Sequence, residues 1–276
     1  MKKIAIVIIA GMLVLSPVFA GGSKDSGAQS QSATPYTIEV GGSTSVTPLM
    51  ELFAEEYSKA KSHIKVNING TGSGDGINNA GKLYQIGMSS RELTAVEQGS
   101  GIKETIIAID GIAVIMSSDS PITNLTIEQI RDIYTGAVTD WSQVSGGAKS
   151  GRIAVVSRES GSGTRGAFEE LVGFQGKLVA GATESTSTGA IKAGIAQNPN
   201  AIGYISLGSV DNTIKAISVG GVVPSTANVV NGSYKIARPF IVLTGSNLHP
   251  ESKAFIDWML SPEGQAIVKR SWIPVN

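Results

Sequence analysis

Three times this 276-residue chain passes from an apolar, strand-like segment through a loop of glycine, serine and threonine into a helix-like segment. The loops are Gly42-Ser43-Thr44-Ser45-Val46-Thr47-Pro48, Thr71-Gly72-Ser73-Gly74-Asp75-Gly76 and Ser160-Gly161-Ser162-Gly163-Thr164. Strands that alternate with helices must lie in sheets with helices on their faces, so an α/β fold with mainly parallel sheets is expected. A helix start carries unpaired backbone N–H groups and a partial positive charge, which makes each loop a candidate anion site. One such loop is weak evidence, because serine and threonine are the usual helix caps. Three, with Arg158 just upstream of the third, point to one small tetrahedral oxyanion held by convergent donors.

The remaining pattern fills in the alternation. Tyr36–Val40, Ile64–Ile68 and Tyr84–Met88 read as strands, and 47–60 reads as a helix with Val46, Met50, Phe53 and Tyr57 at helical spacing. Thr105–Met116 is a long apolar run suited to crossing between two lobes, with a bend or bulge expected at Asp110-Gly111. Thr126 and Gln129 form a capping-box pattern ahead of a buried stripe of Ile127, Ile130 and Ile133. Arg152–Val156 is the strand before the third loop and Arg165–Val172 the helix after it. Ile191–Gln197 reads as a helix, Ala201–Leu207 and Ile214–Val219 as strands. Arg238–Leu243 is an apolar run able to return the chain to the first lobe, and the helices Glu251–Leu260 and Pro262–Lys269 close the molecule.

Residues 1–20 have the form of an export signal, with Lys2 and Lys3 before an apolar run and Val18-Phe19-Ala20 as the cleavage site. The run is short for a membrane anchor. Residues 21–34 have nothing to bury and are expected to be a flexible tether. The rest is long for one core and suits two lobes. Lysine plus arginine equals aspartate plus glutamate at 22 each, and without Lys2 and Lys3 the balance is 20 against 22. Such a balance argues against nucleic acid or a polybasic membrane surface as partner.

Catalysis has little material. The chain has no cysteine and two histidines, His63 and His249, at expected element ends. A metal site or a cysteine–histidine nucleophile is therefore not expected. Gly161-Ser162-Gly163-Thr164-Arg165-Gly166 matches the dinucleotide fingerprint, and Glu184 lies near the distance of a ribose-binding acid. The fingerprint normally sits in the first βαβ unit, however, and this copy is deep in the chain. As an anion cradle the loop makes better sense: Arg158 supplies a planar fork, and Ser162, Gly163 and Thr164 supply hydroxyl and backbone donors. The alternative is that Arg158 pairs with Glu159 and Ser162 only caps the helix.

Taken together, Gly42-Ser43-Thr44-Ser45-Val46, Gly70-x-Gly72-Ser73-Gly74, Ile86-Gly87-Met88-Ser89-Ser90-Arg91 and Arg158-x-Ser160-Gly161-Ser162-Gly163-Thr164 resemble the phosphate-binding proteins of bacterial phosphate ABC importers. So do Ala201-Ile202-Gly203-Tyr204-Ile205-Ser206 and Ser261-Pro262-Glu263-Gly264-Gln265. The resemblance implies a periplasmic solute-binding fold: two α/β lobes with a ligand cleft between them, joined by a two-segment hinge. By it, residues 35–111 and 236–276 form lobe 1 and 112–235 form lobe 2. Phosphate would be bound by Thr44, Ser45, Ser73, Ser90, Arg158, Ser162, Gly163 and Thr164, with no cofactor. A monomeric, non-enzymatic receptor would pass it to a membrane permease.

Longer relatives carry an aspartate after the third strand, which accepts the proton of bound phosphate. Here Ser89-Ser90-Arg91 stands in that place. A carboxylate only accepts hydrogen bonds and so repels a fully ionised sulfate. Either Asp75 takes that role, with Arg91 adding charge or orienting it, or Asp75 is a turn residue between glycines. The rival readings are a receptor for sulfate or molybdate, and an exported enzyme acting on phosphate esters or dinucleotides.

Overall fold

The computed structural model describes residues 34–276. The signal expected over 1–20 and nearly all of the tether lie outside the described residues. The elements run β1 (Tyr36–Gly42), α1 (Thr47–Ala60), β2 (Ile64–Gly70), α2 (Ser73–Asn79), β3 (Ile86–Ser89), α3 (Ala95–Gln98) and β4 (Lys103–Ser117). Then come β5 (Asn124–Leu125), α4 (Ile127–Thr135), β6 (Ala154–Arg158), α5 (Gly163–Val172), β7 (Thr183–Ser185), α6 (Thr188–Gln197) and β8 (Ala201–Ser206). The chain closes with β9 (Ile214–Ala216), β10 (Ser218–Val219), α7 (Thr226–Val230), β11 (Ala237–Thr244), α8 (Pro250–Met259) and α9 (Pro262–Val268).

Local chemistry accounts for the helices. Pro48 sits in the first turn of α1, where no N–H is needed, and Leu49, Met50, Phe53 and Tyr57 form its buried face. Thr126 and Gln129 close a reciprocal capping box on α4, which stops at the left-handed Gly136. Ser261 caps α9 by accepting from the Gly264 N–H.

The strands are hydrogen-bonded in the order β2-β1-β3-β11-β4-β8-β6-β7, with β9 added to β4. The outer strands of each half pair in parallel, β1 with β2 and β3, and β6 with β7 and β8, whereas β11 runs antiparallel to β3 and β4 runs antiparallel to β8 and β9. The centre is antiparallel, because β4 leaves the first half as β11 returns to it. The sheet is thus mixed rather than mainly parallel. From Lys103 to Gly111, β4 pairs with β11; from Ile112 to Met116 it pairs with β8. No bulge occurs at Asp110-Gly111, which stand in regular register with Arg238 and Ala237. The register shifts at Phe240/Ile241, opposite Ile107.

Two large cores follow this division. One gathers Ile38, Val40, Phe53, Met88, Ala108, Phe240, Phe255 and Trp272. The other gathers Ile112, Val114, Ile133, Trp141, Phe168, Tyr204, Tyr234 and Ile236. Beyond Gly111 the strand is buried on both faces: Ile112 and Val114 enter the second core, while Ala113 and Ile115 enter a third with Ile191 and Ile195. That explains the unbroken apolar run, since a strand covered on both sides has no polar face to show. Each fully buried isoleucine or phenylalanine contributes about 1.5–3 kcal/mol.

Candidate anion site

The carboxyl ends of β1, β2, β6 and β7 each lead into a helix, and these four junctions meet. Gly42 ends β1 with φ +133°, and a Cβ there would stand 2.3 Å from the Met88 carbonyl, so only glycine fits. After it, α1 is preceded by Val46 at the N-cap, with no side-chain cap. The Ser43, Thr44 and Ser45 hydroxyls are therefore not spent as N-caps. Gly72 likewise opens α2 without a side-chain cap, leaving the Ser73 hydroxyl 3.2 Å from the Ser90 N–H that donates to it.

Residues of the second half face these directly. The Ser45 and Thr164 hydroxyls are 2.7 Å apart, and the Gly74 N–H donates to the Gly161 carbonyl at 2.9 Å. The start of α5 is pressed against the first half: a Cβ on Gly163 would lie 2.4 Å from Ser73 Oγ and 2.9 Å from Ser90 Oγ. Ser43 Oγ donates to Ser90 Oγ at 2.9 Å. Ser43, Ser45, Ser73, Ser90, Arg158, Ser162 and Thr164 are all buried. Dense, water-poor hydroxyl groups of this kind suit a ligand that accepts many hydrogen bonds.

At the third loop Arg158 pairs with Glu159 and Ser162 caps the helix, as the second alternative expects. Arg158 is 2 % exposed and forks onto Glu159, with Nε 2.9 Å from Oε2 and Nη2 2.8 Å from Oε1. Its Nε also donates to the Ser185 carbonyl at 3.2 Å. Among the described residues its Nη1 makes no hydrogen bond, so one donor of the fork is uncommitted. Ser162 does cap α5, accepting from the Arg165 N–H at 3.3 Å. Arg165 in turn pairs with Glu169 and Glu184 and donates to the Arg158 carbonyl. Glu184 is thereby a surface partner of Arg165, and of the fingerprint glycines Gly163 serves the close approach of α5.

Thr44, Ser45, Ser73, Ser90, Gly163 and Thr164 are brought together, with Arg158 at the end of β6 and Ser162 capping α5 at the same junction. Asp75 and Arg91 are not brought to each other. The Asp75 carboxylate accepts from Thr71 Oγ1 at 2.6 Å, Asn79 Nδ2 at 2.7 Å and the Tyr84 hydroxyl at 2.8 Å. Those bonds, Thr71's first, hold it below the usual carboxylate range. Arg91 forks onto Glu97 with both nitrogens at 2.8 Å, which drives the Glu97 carboxyl down to about 2. Asp75 thus lies in the first turn of α2 rather than in a turn between glycines, and its carboxylate is spent within its own half.

Thr188 was not expected here. It is 6 % exposed, its N–H donates to Thr44 Oγ1 at 3.4 Å, and its hydroxyl lies 3.4 Å from that of Ser45. The signal was present: Thr186-Ser187-Thr188-Gly189 is a fourth hydroxyl-rich strand-to-helix junction, with Ser187 capping α6. The short, largely exposed β7 before it hid the pattern.

His63 pairs with Glu251 at 3.5 Å, and His249 caps α8 while stacked on Tyr36. Among the described residues no cluster of three histidine or carboxylate groups is placed to hold a metal. The arrangement can bind an anion, but it joins no nucleophile to a base.

The chain has relatives of known family and fold. Residues 28–263 match the PBP superfamily domain. The phosphate-binding protein PstS of Borreliella burgdorferi is 31 % identical over 98 % of this chain and 97 % of its own length. The PstS of Bacillus subtilis is 26 % identical over 100 % of this chain and 94 % of its own. A phosphate ABC transporter substrate-binding protein of Clostridium perfringens, solved with bound phosphate, superposes with a TM-score of 0.84 at 45 % identity, covering 87 % of this chain and 100 % of that one. An ABC-type phosphate transport receptor of Vibrio cholerae gives 0.70 at 35 % identity, covering 86 % and 99 %. The two-lobed α/β fold is therefore shared with phosphate receptors, and the chain belongs to the PBP superfamily, in its branch of PstS-type phosphate-binding proteins.

Proposed function

We propose that this protein is a non-enzymatic receptor that captures inorganic phosphate between its lobes and delivers it to the permease of an ABC importer. The observation that carries the reading is the meeting of four hydroxyl-rich strand-to-helix junctions, two from each half, beside an arginine with one uncommitted nitrogen. Lobe 1 comprises 35–111 with 236–276 and lobe 2 comprises 112–235, a division that the two separate cores support except at Ile236, which packs in the second. Thr44, Ser45, Ser73 and Ser90 bind from lobe 1; Arg158, Ser162, Gly163 and Thr164 bind from lobe 2. Closure buries the anion where charge-assisted hydrogen bonds are shorter and roughly twice as strong as neutral ones. Residues 1–20 export the chain, with cleavage after Ala20, and the mature receptor acts as a monomer in the periplasm.

Titration calorimetry of the mature, ligand-stripped protein with phosphate tests this. Saturable one-to-one binding is expected, and Arg158→Ala should weaken it by at least about a hundredfold, because the anion loses its guanidinium and gains the unpaired Glu159 carboxylate as neighbour. Absence of phosphate binding overturns the reading. One observation favours a second oxyanion as well: the Asp75 carboxylate is spent on Thr71, Asn79 and Tyr84. Comparable binding of sulfate under matched pH and ionic strength would make the site a general oxyanion receptor.

A further inference from the structure

A buried ion pair lies between the anion site and the place where β4 changes partners. Asp110 and Arg238 are cross-strand partners on β4 and β11, one rung before β4 passes from β11 to β8. Both side chains are 1 % exposed. Arg238 donates to Asp110 Oδ2 through Nε at 3.2 Å and Nη2 at 3.1 Å. Its remaining nitrogen, Nη1, donates to the Ser90 carbonyl at 3.3 Å. At the other end the Ser206 hydroxyl, on β8, donates to Asp110 Oδ1 at 2.8 Å. Phe240, on the same strand as Arg238, adds its ring face 5.4 Å from the guanidinium carbon.

These bonds form one continuous chain from the second half to the anion site. It runs Ser206, Asp110, Arg238, Ser90, and from Ser90 by hydroxyl contacts to Ser43 and Ser73. Resting on the phosphate reading, we propose that Asp110 and Arg238 are positioning residues of the anion site, which hold Ser90 in place and couple it to the second lobe. The physical case has two parts. A desolvated ion pair seldom adds net stability over a well-packed apolar pair, so its presence at this crossing suggests a geometric task. The guanidinium is rigid and planar, so with two nitrogens pinned on Asp110 the third has a fixed aim, and that aim is the backbone of a residue whose hydroxyl faces the cradle. It also occupies the Ser90 carbonyl, an acceptor that would repel an anion if turned inward.

Arg238→Lys tests the idea, since lysine keeps the cation but places one nitrogen where the fork used two ends. Phosphate affinity is measured calorimetrically for wild type, Arg238→Lys, Ser90→Ala and the double variant, with ligand-free melting as the check on folding. Arg238→Lys is expected to weaken phosphate binding about tenfold, and this loss should largely vanish in the Ser90→Ala background, because the arginine acts through that residue. Ser206→Ala, which removes one hydroxyl at the far end, should weaken binding about threefold with the same coupling, and serves if Arg238→Lys does not fold. Wild-type affinity in these variants, or losses that simply multiply with that of Ser90→Ala, would overturn the assignment while leaving the receptor reading intact. Failure of the wild type itself to bind phosphate would remove both.

Discussion

Gly163→Ala is the substitution that separates binding from closure. The residue is the first of α5 and has an ordinary backbone conformation, so alanine suits the position and removes no N–H donor. By helix propensity alone the change is neutral or mildly stabilising. Its methyl group, however, would stand 2.4 Å from Ser73 Oγ, 2.9 Å from Ser73 Cβ and 2.9 Å from Ser90 Oγ. The Ser73 hydroxyl can rotate away, at the loss of its bond from the Ser90 N–H. The Ser73 Cβ cannot, so the two halves must part by several tenths of an ångström. Overpacking of this kind costs about 1–3 kcal/mol. Charged to the closed form alone, it lowers phosphate affinity about 5- to 150-fold. Calorimetric titration gives the affinity, and melting without phosphate reports the ligand-free form. Unchanged affinity would refute the reasoning, as would a ligand-free melting loss as large as the binding loss, since the contact would then exist without the ligand.

Asp75→Asn is expected to leave the ratio of phosphate to sulfate affinity unchanged while costing about 1 kcal/mol of stability through weakened bonds to Thr71, Asn79 and Tyr84. A tenfold shift in that ratio, measured by competition titration, would return Asp75 to the selectivity role. Glu97→Gln should destabilise the protein by about 1–2 kcal/mol at neutral pH, a value discounted for partial exposure. Because the Glu97 carboxyl is lowered from 4.5 to about 2 by Arg91, its stabilisation is present above pH 4.5 and lost as pH falls towards 2. Denaturant melts of both proteins across that range should therefore converge in acid, and a difference at pH 2 as large as that at neutral pH would contradict the assigned partner.

The parts of the fold that periodicity controls were legible in the sequence. α1 runs over the span that Pro48 and the Met50, Phe53 and Tyr57 stripe predict, and the Thr126–Gln129 box starts α4 as expected. Register was less so: the strand read over Arg152–Val156 is Ala154–Arg158, which makes Arg158 the last residue of a strand rather than part of a loop. Ile214–Val219 is two short strands paired to different neighbours, a division made by tertiary contacts and not by side-chain pattern. Most of the candidate site followed from its Gly/Ser/Thr grammar, and Thr188 obeyed the same grammar unseen. The Asp110–Arg238 pair was beyond reach, because 128 residues separate its members and only the strand register brings them together.

The rung that joins Gly111 to Ala237 has a consequence for how such a chain is put together. Antiparallel partners lie about 5 Å apart, so the whole stretch from 112 to 236 enters and leaves through two adjacent points. In topological terms it is an insert spliced into a host whose own strands would be satisfied by a tight hairpin between Gly111 and Ala237. The host could lose or exchange its guest without rethreading a single strand of β2-β1-β3-β11. The backbone thus crosses between the two halves twice at one rung, so exchanging the stretch 112–236 would cut it at two neighbouring positions.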